Sequence, residues 1–153
     1  MSPCFIINVR NERVVLIVQV LKDELRHKIL LESEHLFLQR GYDRTSLQMI
    51  ADKVNISKSN LYHYFKNKEE LFYELTDSAA DGLKRMILRF RSMRFDLNMD
   101  AQEFRMLLTE EVLSLLLAEK YGLLLIMEQA NGTRYENLRP VMIELIASKI
   151  VPM

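Results

Sequence analysis

Three helix-start signals follow one another closely between Thr45 and Glu70, and their spacing strongly limits what the chain can fold into. Thr45 is followed three residues later by Gln48, and Asn67 by Glu70, which is the spacing of a capping box. Ser57 lies between them and is a further residue that commonly starts helices. Only short helices fit between such starts. We therefore predict two short helices joined by a tight turn, followed by a longer helix.

Apolar residues in this stretch repeat at helical spacing. In the second short helix, Leu61 and Phe65 lie four residues apart on one face, and Ile56 before the cap is spaced to pack on Leu61. The side chains that point mostly away from this face are Lys58, Ser59, Tyr62 and His63. A partner of this helix would therefore meet small polar, cationic and aromatic groups.

The flanking residues extend the helical pattern in both directions. Upstream, apolar residues predict a first helix over 22–40 that ends at Gly41. Residues 1–21 do not fit, because "FIINV" and "RVVLIVQV" are β-branched and lack a helix start; an added extension, a short strand and a misplaced start site all remain open. Downstream we expect a long fourth helix to about Arg94, then a fifth and a sixth, and a seventh capped by Thr133.

The composition supports an all-α protein. The chain has only 4 glycines and 3 prolines in 153 residues, and 49% of its residues are hydrophobic. We divide it into an extension over 1–21, a three-helix domain over 22–67 with its motif at about 46–65, and a helical domain over 68–153. The single Cys4 favours a reducing compartment, and the apolar run 14–21 is too short to span a membrane. We expect a cytoplasmic protein.

Charge is unevenly distributed although the whole chain is neutral. The segment from Arg40 to Lys68 has six basic and two acidic residues, a balance of +4. The segment from Asp96 to Met153 has five basic and nine acidic residues, a balance of −4. This asymmetry indicates that only the front of the chain meets a polyanion.

Two short helices with a tight turn, the second of them polar and cationic, are typical of a helix-turn-helix that binds double-stranded DNA. Lys58, Ser59 and Asn60 begin the second helix and suit contacts to base edges in the major groove. Tyr62, Lys66 and Lys68 suit phosphate contacts. The helix starts at Thr45 or Ser46 and at Asn67 would offer backbone amides to the same anions.

The segment "GYDRTSLQMIADKVNISKSNLYHYFKNKEELF" resembles the DNA-binding segment of the TetR family of transcriptional regulators, and the resemblance covers Ile29 to about Leu75. It implies a homodimer on a palindromic operator and a helical C-terminal domain for dimerisation and for a small-molecule inducer. Members are commonly longer, so this domain is expected to be truncated. The residues to which the resemblance assigns DNA contacts are Thr45, Ser46, Ser57, Lys58, Ser59, Asn60, Tyr62, His63 and Lys68.

The rear half offers weaker signals. Aromatic and methionine side chains could line a pocket for an apolar inducer, although core packing explains them equally well. The residues chosen for this role are Phe90, Phe104, Tyr121 and Met127. No catalytic residue and no cofactor is expected, and the two Glu-x-x-His pairs of the first helix lie about 12 Å apart, too far to share a metal. We predict a repressor; the alternative is a helical ligand- or protein-binding module whose front end no longer binds DNA.

Overall fold

The computed structural model describes residues 9–92 and 101–150, and all regular structure in them is α-helical, as predicted. The helices are α1 (Val9–Arg40), α2 (Leu47–Val54), α3 (Lys58–Leu61), α4 (Lys68–Ser92), α5 (Ala101–Gln129) and α6 (Leu138–Ile150). The first four form the front of the molecule. The long α4 continues from it into the rear, where α5 and α6 pack.

Helix α1 begins far upstream of its predicted start. It is continuous from Val9, so the prediction that residues 9–21 are not part of the first helix is wrong. Adding residues to an existing helix gains one hydrogen bond each, and β-branched residues lower helix propensity only slightly. The large apolar side chains of residues 14–21 are exposed to solvent. Residues 1–8, including Cys4, lie outside the described residues.

The front core is built around aromatic side chains from three places in the chain. The rings of Phe37 and Phe72 meet edge to face with centroids 5.4 Å apart, and Tyr42 packs on Phe72 at 5.0 Å. Edge-to-face ring pairs of this kind contribute about 0.5–1.5 kcal/mol each beyond the area that they bury. The two pairs fix α4 against the end of α1. Ser33, one turn before Phe37 on the buried face of α1, donates its hydroxyl to the carbonyl of Ile29 at 2.6 Å.

Helices α4 and α5 run antiparallel and approach closely at two glycines. Gly82 of α4 faces Leu115 of α5, and Gly122 of α5 faces Leu75 and Ala79 of α4. A Cβ atom at position 122 would lie 2.8 Å from the Cβ of Ala79 and 3.0 Å from the carbonyl oxygen of Leu75. A larger residue there would have to separate the two helices.

The rear helices agree with the prediction in the fifth and sixth helices and differ from it in the last. The span α5 consists of two helical parts that meet at a kink at the non-helical Glu119 (φ −130°, ψ 30°), close to the predicted start of the sixth helix. The predicted cap at Thr133 is wrong, because residues 131–137 form turns and α6 begins at Leu138. Pro140 falls in the first turn of α6, where a proline is tolerated because its missing N–H would have no helical partner.

The turn between α5 and α6 packs back onto the front of the molecule. Gly41 (φ 87°) closes α1 and donates its N–H to the carbonyl of Phe37. Gln129, the last residue of α5, approaches Gly41 so closely that a Cβ atom on residue 41 would lie 2.8 Å from the side-chain amide oxygen of Gln129. In the same turn, the hydroxyl of Tyr135 donates to Asp77 of α4 at 2.6 Å. The buried core is accordingly one cluster on both sides of the predicted boundary at 67/68.

Candidate nucleic-acid interface

Helix α2 is capped by Ser46. Its backbone is extended (φ −113°, ψ 156°), and its Oγ accepts a hydrogen bond from the N–H of Met49 at 3.3 Å. The predicted cap at Thr45 is wrong. Thr45 is only 2% exposed, and its hydroxyl donates to the carbonyl of Gly41 at 2.8 Å. Of the two candidates at this helix start, only Ser46 presents its side chain to solvent.

The turn after α2 depends on a left-handed residue. Asn55 has φ 63° and ψ 46°, and the next N–H, of Ile56, donates back to the carbonyl of Ala51 at 3.0 Å. Asparagine tolerates this conformation better than most residues with a side chain. Two residues later the Oγ of Ser57 accepts from the N–H of Asn60 at 3.1 Å, which confirms the predicted cap of α3.

The regular part of α3 is only four residues long, but helical hydrogen bonds continue beyond it. The N–H of Tyr62 donates to Lys58 and that of Phe65 donates to Leu61, both at 3.1 Å. Leu61 and Phe65 are both buried, which confirms the predicted core face. The segment from Ser57 to Phe65 is therefore held against the core as one unit, which we call the recognition segment.

The opposite side of the recognition segment is open to solvent. Lys58, Ser59, Tyr62 and His63 are all exposed, and Asn60 is half-buried. Tyr62 keeps 47% of its surface accessible, and the Nζ atom of Lys58 lies 5.9 Å from the centre of its ring. An ammonium over an aromatic face stays hydrated, so this contact leaves both groups available to a partner.

Lys68 is more constrained than its neighbours. Its Nζ donates to the carbonyl oxygen of Tyr42 at 2.8 Å and lies 4.0 Å from the centre of the Tyr42 ring. Burial lowers the pKa of Lys68 below its usual value, partly opposed by Asp43 and Glu69, and burial also raises the pKa of Tyr42 to about 12. Because an ammonium has three donors, two N–H groups remain for other acceptors.

The start of α4 forms the predicted capping box with one difference. The Oδ1 of Asn67 accepts from the N–H of Glu70 at 2.7 Å, whereas the carboxylate of Glu70 accepts from the N–H of Lys66 at 2.6 Å rather than from Asn67. The side chain of Lys66 remains exposed. Asn67 and the acidic residues of the first turn therefore already stabilise the positive end of α4, and the exposed side chain of Lys66 is the cationic group beside it that can meet a partner.

Sequence reasoning missed Arg26. Its guanidinium group pairs with both carboxylate oxygens of Glu74 and lies 5.0 Å from the centre of the Phe65 ring. The hydrogen bonds to Glu74 raise the pKa of Arg26. This contact ties α1 to the end of the recognition segment and to α4, across 48 residues of sequence, which no local pattern could reveal.

The rear of the molecule contains an open cleft of about 710 Å³ between α4 and α5. Its lining is largely charged or hydroxyl-bearing, and Arg89 pairs with Glu111 across it. The other polar lining residues are Ser78, Arg85, Glu110, Ser114 and Glu119.

Of the predicted inducer contacts whose side chains the structure describes, Phe90, Tyr121 and Met127, none lines this cleft. Phe90 is buried near the end of α4, Tyr121 is exposed, and Met127 packs on the core near the end of α5. Since α4 and α5 are antiparallel, Phe90 and Met127 lie more than about 20 Å apart along the helices. The structure therefore does not bring Phe90, Tyr121 and Met127 together. The side chain of Phe104 is outside the described residues.

Within residues 9–92 and 101–150, none of the helices could span a bilayer. The same ranges hold no cluster of three or more histidine, cysteine, aspartate or glutamate side chains placed to bind a metal ion.

Similarity to known proteins concentrates in the front of the chain. Residues 29–75 match the family described as "Bacterial regulatory proteins, tetR family". The chain is 34% identical over 65 residues to the negative transcriptional regulator IcaR of the icaADBC biofilm operon in Staphylococcus epidermidis, covering 42% of this chain and 35% of IcaR. It is 34% identical over 62 residues to the transcriptional activator FasR of Mycolicibacterium smegmatis, covering 40% of this chain and 28% of FasR. The chain thus spans about a third of these relatives.

Solved structures share the fold over a longer stretch. A probable transcriptional regulatory protein, RHA5900, superimposes with a TM-score of 0.56 at 19% identity, over 82% of this chain and 70% of its own. NalD of Pseudomonas aeruginosa, described as the secondary repressor of the MexAB-OprM multidrug efflux pump, superimposes with a TM-score of 0.51 at 27% identity, over 82% and 61%. Residues 29–75 of this chain, which include the helix-turn-helix region, are thus similar to the tetR family of bacterial regulatory proteins.

Proposed function

We propose that this protein is a cytoplasmic transcriptional regulator that binds double-stranded DNA through its recognition segment and represses the genes it controls. The observation that carries the proposal is the two-sided recognition segment. Leu61 and Phe65 are buried on one side, while Lys58, Ser59 and Tyr62 are exposed on the other, in a domain of the tetR family. A helix held in this way can enter a major groove without unfolding its own domain.

Base reading is assigned to the first turn of the recognition segment. The ammonium of Lys58 suits the acceptors of guanine, and the hydroxyls of Ser57 and Ser59 can donate or accept at several bases. Asn60 is half-buried and so contributes at the margin of the contact. His63, one turn further on, faces the same side as Ser59 and extends the contact along the groove.

Phosphate binding is assigned to groups that flank this turn. Ser46 uses its Oγ as an acceptor within α2, so its O–H proton remains for a phosphate oxygen. Tyr62 and Lys66 are exposed, and Lys68 retains two donors while Tyr42 fixes its position. We do not assign a side-chain contact to Thr45, because that side chain is buried.

A homodimer would place two recognition segments in successive major grooves, about 34–36 Å apart. A small-molecule inducer that binds the rear domain better in another arrangement of the heads would lower operator affinity. The cleft between α4 and α5 is a reasonable place for it, since α4 also begins at the DNA-facing Lys68. Repression follows what is stated for IcaR and NalD; FasR is described as an activator.

A gel-shift assay with DNA from upstream of the gene, against excess unrelated DNA, tests the proposal. We expect a complex that survives the competitor and is abolished by Lys58→Ala combined with Tyr62→Ala. A reporter fused to the same DNA should rise in expression when the protein is removed. Failure of the folded wild-type protein to bind any DNA would favour the alternative, a helical module that holds a ligand or protein partner with its rear helices.

A further inference from the structure

We propose that the end of α5 and the turn that follows it, residues 129–137, form a positioning element for the side chain of Lys68. We call these residues the rear turn. They act on Lys68 through the loop of residues 41–43, which lies between α1 and α2. The proposal rests on the proposed function only in taking Lys68 as a phosphate ligand, because the position of its ammonium can be measured without DNA.

The ammonium of Lys68 is held by the middle residue of this loop. Its Nζ atom donates to the carbonyl oxygen of Tyr42 at 2.8 Å and lies 4.0 Å from the centre of the Tyr42 ring. The ring is buried and packs on Phe72, so the front core fixes the side chain of Tyr42. The carbonyl belongs to the rigid peptide that joins Tyr42 to Asp43. Its direction therefore depends on the backbone beside Tyr42 as well as on the ring.

The rear turn contacts both neighbours of Tyr42. On one side, the side-chain amide oxygen of Gln129 would lie 2.8 Å from a Cβ atom on Gly41. On the other side, a Cβ atom on Gly132 would lie 3.0 Å from Oδ1 of Asp43. Both glycines have a positive φ, 87° and 76°, which other residues rarely adopt. The peptide that carries the Lys68 acceptor is thus held at both of its ends by the rear of the chain.

The rear turn is itself fixed to α4, the helix that Lys68 begins. The hydroxyl of Tyr135 donates to the carboxylate of Asp77 at 2.6 Å, and Arg134 pairs with the same carboxylate at 2.5 Å. The guanidinium of Arg134 also lies 3.8 Å from the centre of the Tyr73 ring. Burial and the hydrogen bond to Asp77 raise the pKa of Tyr135 to about 12, so this phenol remains a donor at neutral pH. The rear turn therefore braces the loop from a fixed place on α4.

The contacts with the loop contribute little to the buried core. Gln129 is half-buried, and Gly132 and Asp43 are exposed. Replacing such residues uncovers little apolar surface, and apolar burial is the main source of folding stability. A substitution there should consequently change the loop and Lys68 more than it changes the stability of the protein.

NMR of the lysine side chains in the full chain, without DNA, measures the position of Lys68. The current of the Tyr42 ring should shift the Cε protons of Lys68 upfield, and the spectrum of Lys68→Arg identifies this signal. Gln129→Ala removes the amide that lies against Gly41, so the signal should move toward that of a solvent-exposed lysine. Gln19→Ala is the matched control, because Gln19 is an exposed glutamine of α1 and its loss should leave the signal in place.

Gly132→Ala perturbs the other end of the same peptide and does not depend on the first variant. Its added methyl group would press on the carboxylate of Asp43 and should also move the Lys68 signal. A signal that stays at its wild-type position in both Gln129→Ala and Gly132→Ala would overturn the proposal.

DNA binding separates failure of this inference from failure of the proposed function. If both hold, Gln129→Ala should weaken binding to all DNA sequences by roughly 2-fold to 30-fold. In a Lys68→Ala background it should have no further effect, because the ammonium through which it acts is gone. An equal loss with and without Lys68 would contradict the inference. A Lys68 signal that moves in a protein that binds no DNA would leave the inference standing and remove the function.

Discussion

Helices α3 and α5 both carry leucines at helical spacing, but they use them differently. In the front, Leu61 is fully buried, and both α2 and α3 begin at a serine that caps them. In the rear, Leu117 is 77% exposed, and α5 is interrupted within the helix at Glu119. Around α3 the leucine is therefore buried within the chain, whereas along α5 several leucines stay exposed to solvent. The comparison separates leucines that hold the fold from leucines that do not.

The largest effect is expected when a buried leucine and an exposed leucine are each replaced by alanine. Leu61→Ala should lower the free energy of unfolding by about 2–5 kcal/mol, because it removes buried methyl groups and leaves a cavity. Leu88→Ala, at an exposed position of the rear, should change it by less than about 0.5 kcal/mol. Urea titration followed by circular dichroism measures both. Similar losses in the two variants would mean that the front and the rear do not differ in this way.

The second test concerns which exposed groups of the front carry sequence information. Lys58→Ala should cost about 1–3 kcal/mol at the guanine it contacts and relax the preference for that base pair. Ser59→Ala should alter preference at a neighbouring position. Selection of binding sites from a random pool, carried out on each variant and on wild type, measures the change. Unchanged preference in both variants would remove these residues from base reading.

The third test concerns whether Ser46 caps α2. Ser46→Ala should lower the free energy of unfolding by about 1 kcal/mol, because the N–H of Met49 loses its acceptor. Ser114→Ala, at an exposed serine inside α5, serves as the control and should have little effect. Thermal unfolding of both variants gives the difference. An equal effect of the two substitutions would argue against the capping role of Ser46.

The smallest expected effect is on the salt dependence of DNA binding. Lys66→Ala and Lys68→Ala should each weaken binding to all DNA sequences and reduce the slope of log K against log salt by about 1. Lys84→Ala, which removes an exposed cation of the rear that pairs with Asp81, should leave the slope unchanged. Fluorescence anisotropy at several salt concentrations measures it. A slope that responds equally to Lys84→Ala would place DNA against the rear as well.

Local pattern predicted much of the front correctly. The cap at Ser57, the buried face of Leu61 and Phe65, and the capping box at Asn67 all follow from contacts within a few residues, where spacing alone decides the geometry. The predicted cap of α2 at Thr45 was wrong because the local pattern does not distinguish Thr45 from Ser46. Both residues can cap a helix, and only burial of Thr45 against the end of α1 decides between them.

Contacts between distant parts of the chain could not be predicted. Lys68 meets the carbonyl of Tyr42 across 26 residues, and Arg26 meets Glu74 across 48. Phe90 and Met127 lie far apart along the antiparallel pair α4 and α5, because the sequence does not specify which end of α5 lies beside which end of α4. The prediction for residues 9–21 was wrong because it gave the β-branched composition more weight than the tendency of an established helix to continue.

The sequence by itself determined the helices of the front, their caps and the polar side of the recognition segment, because hydrogen bonds and apolar periodicity act over a few residues. Only the tertiary structure decided that Tyr42 positions Lys68, that the cleft between α4 and α5 is charged, and that one face of α5 stays uncovered. Those features depend on how helices far apart in sequence pack. Packing is set by the shapes of whole surfaces, such as the close approach at Gly82 and Gly122, rather than by any local motif.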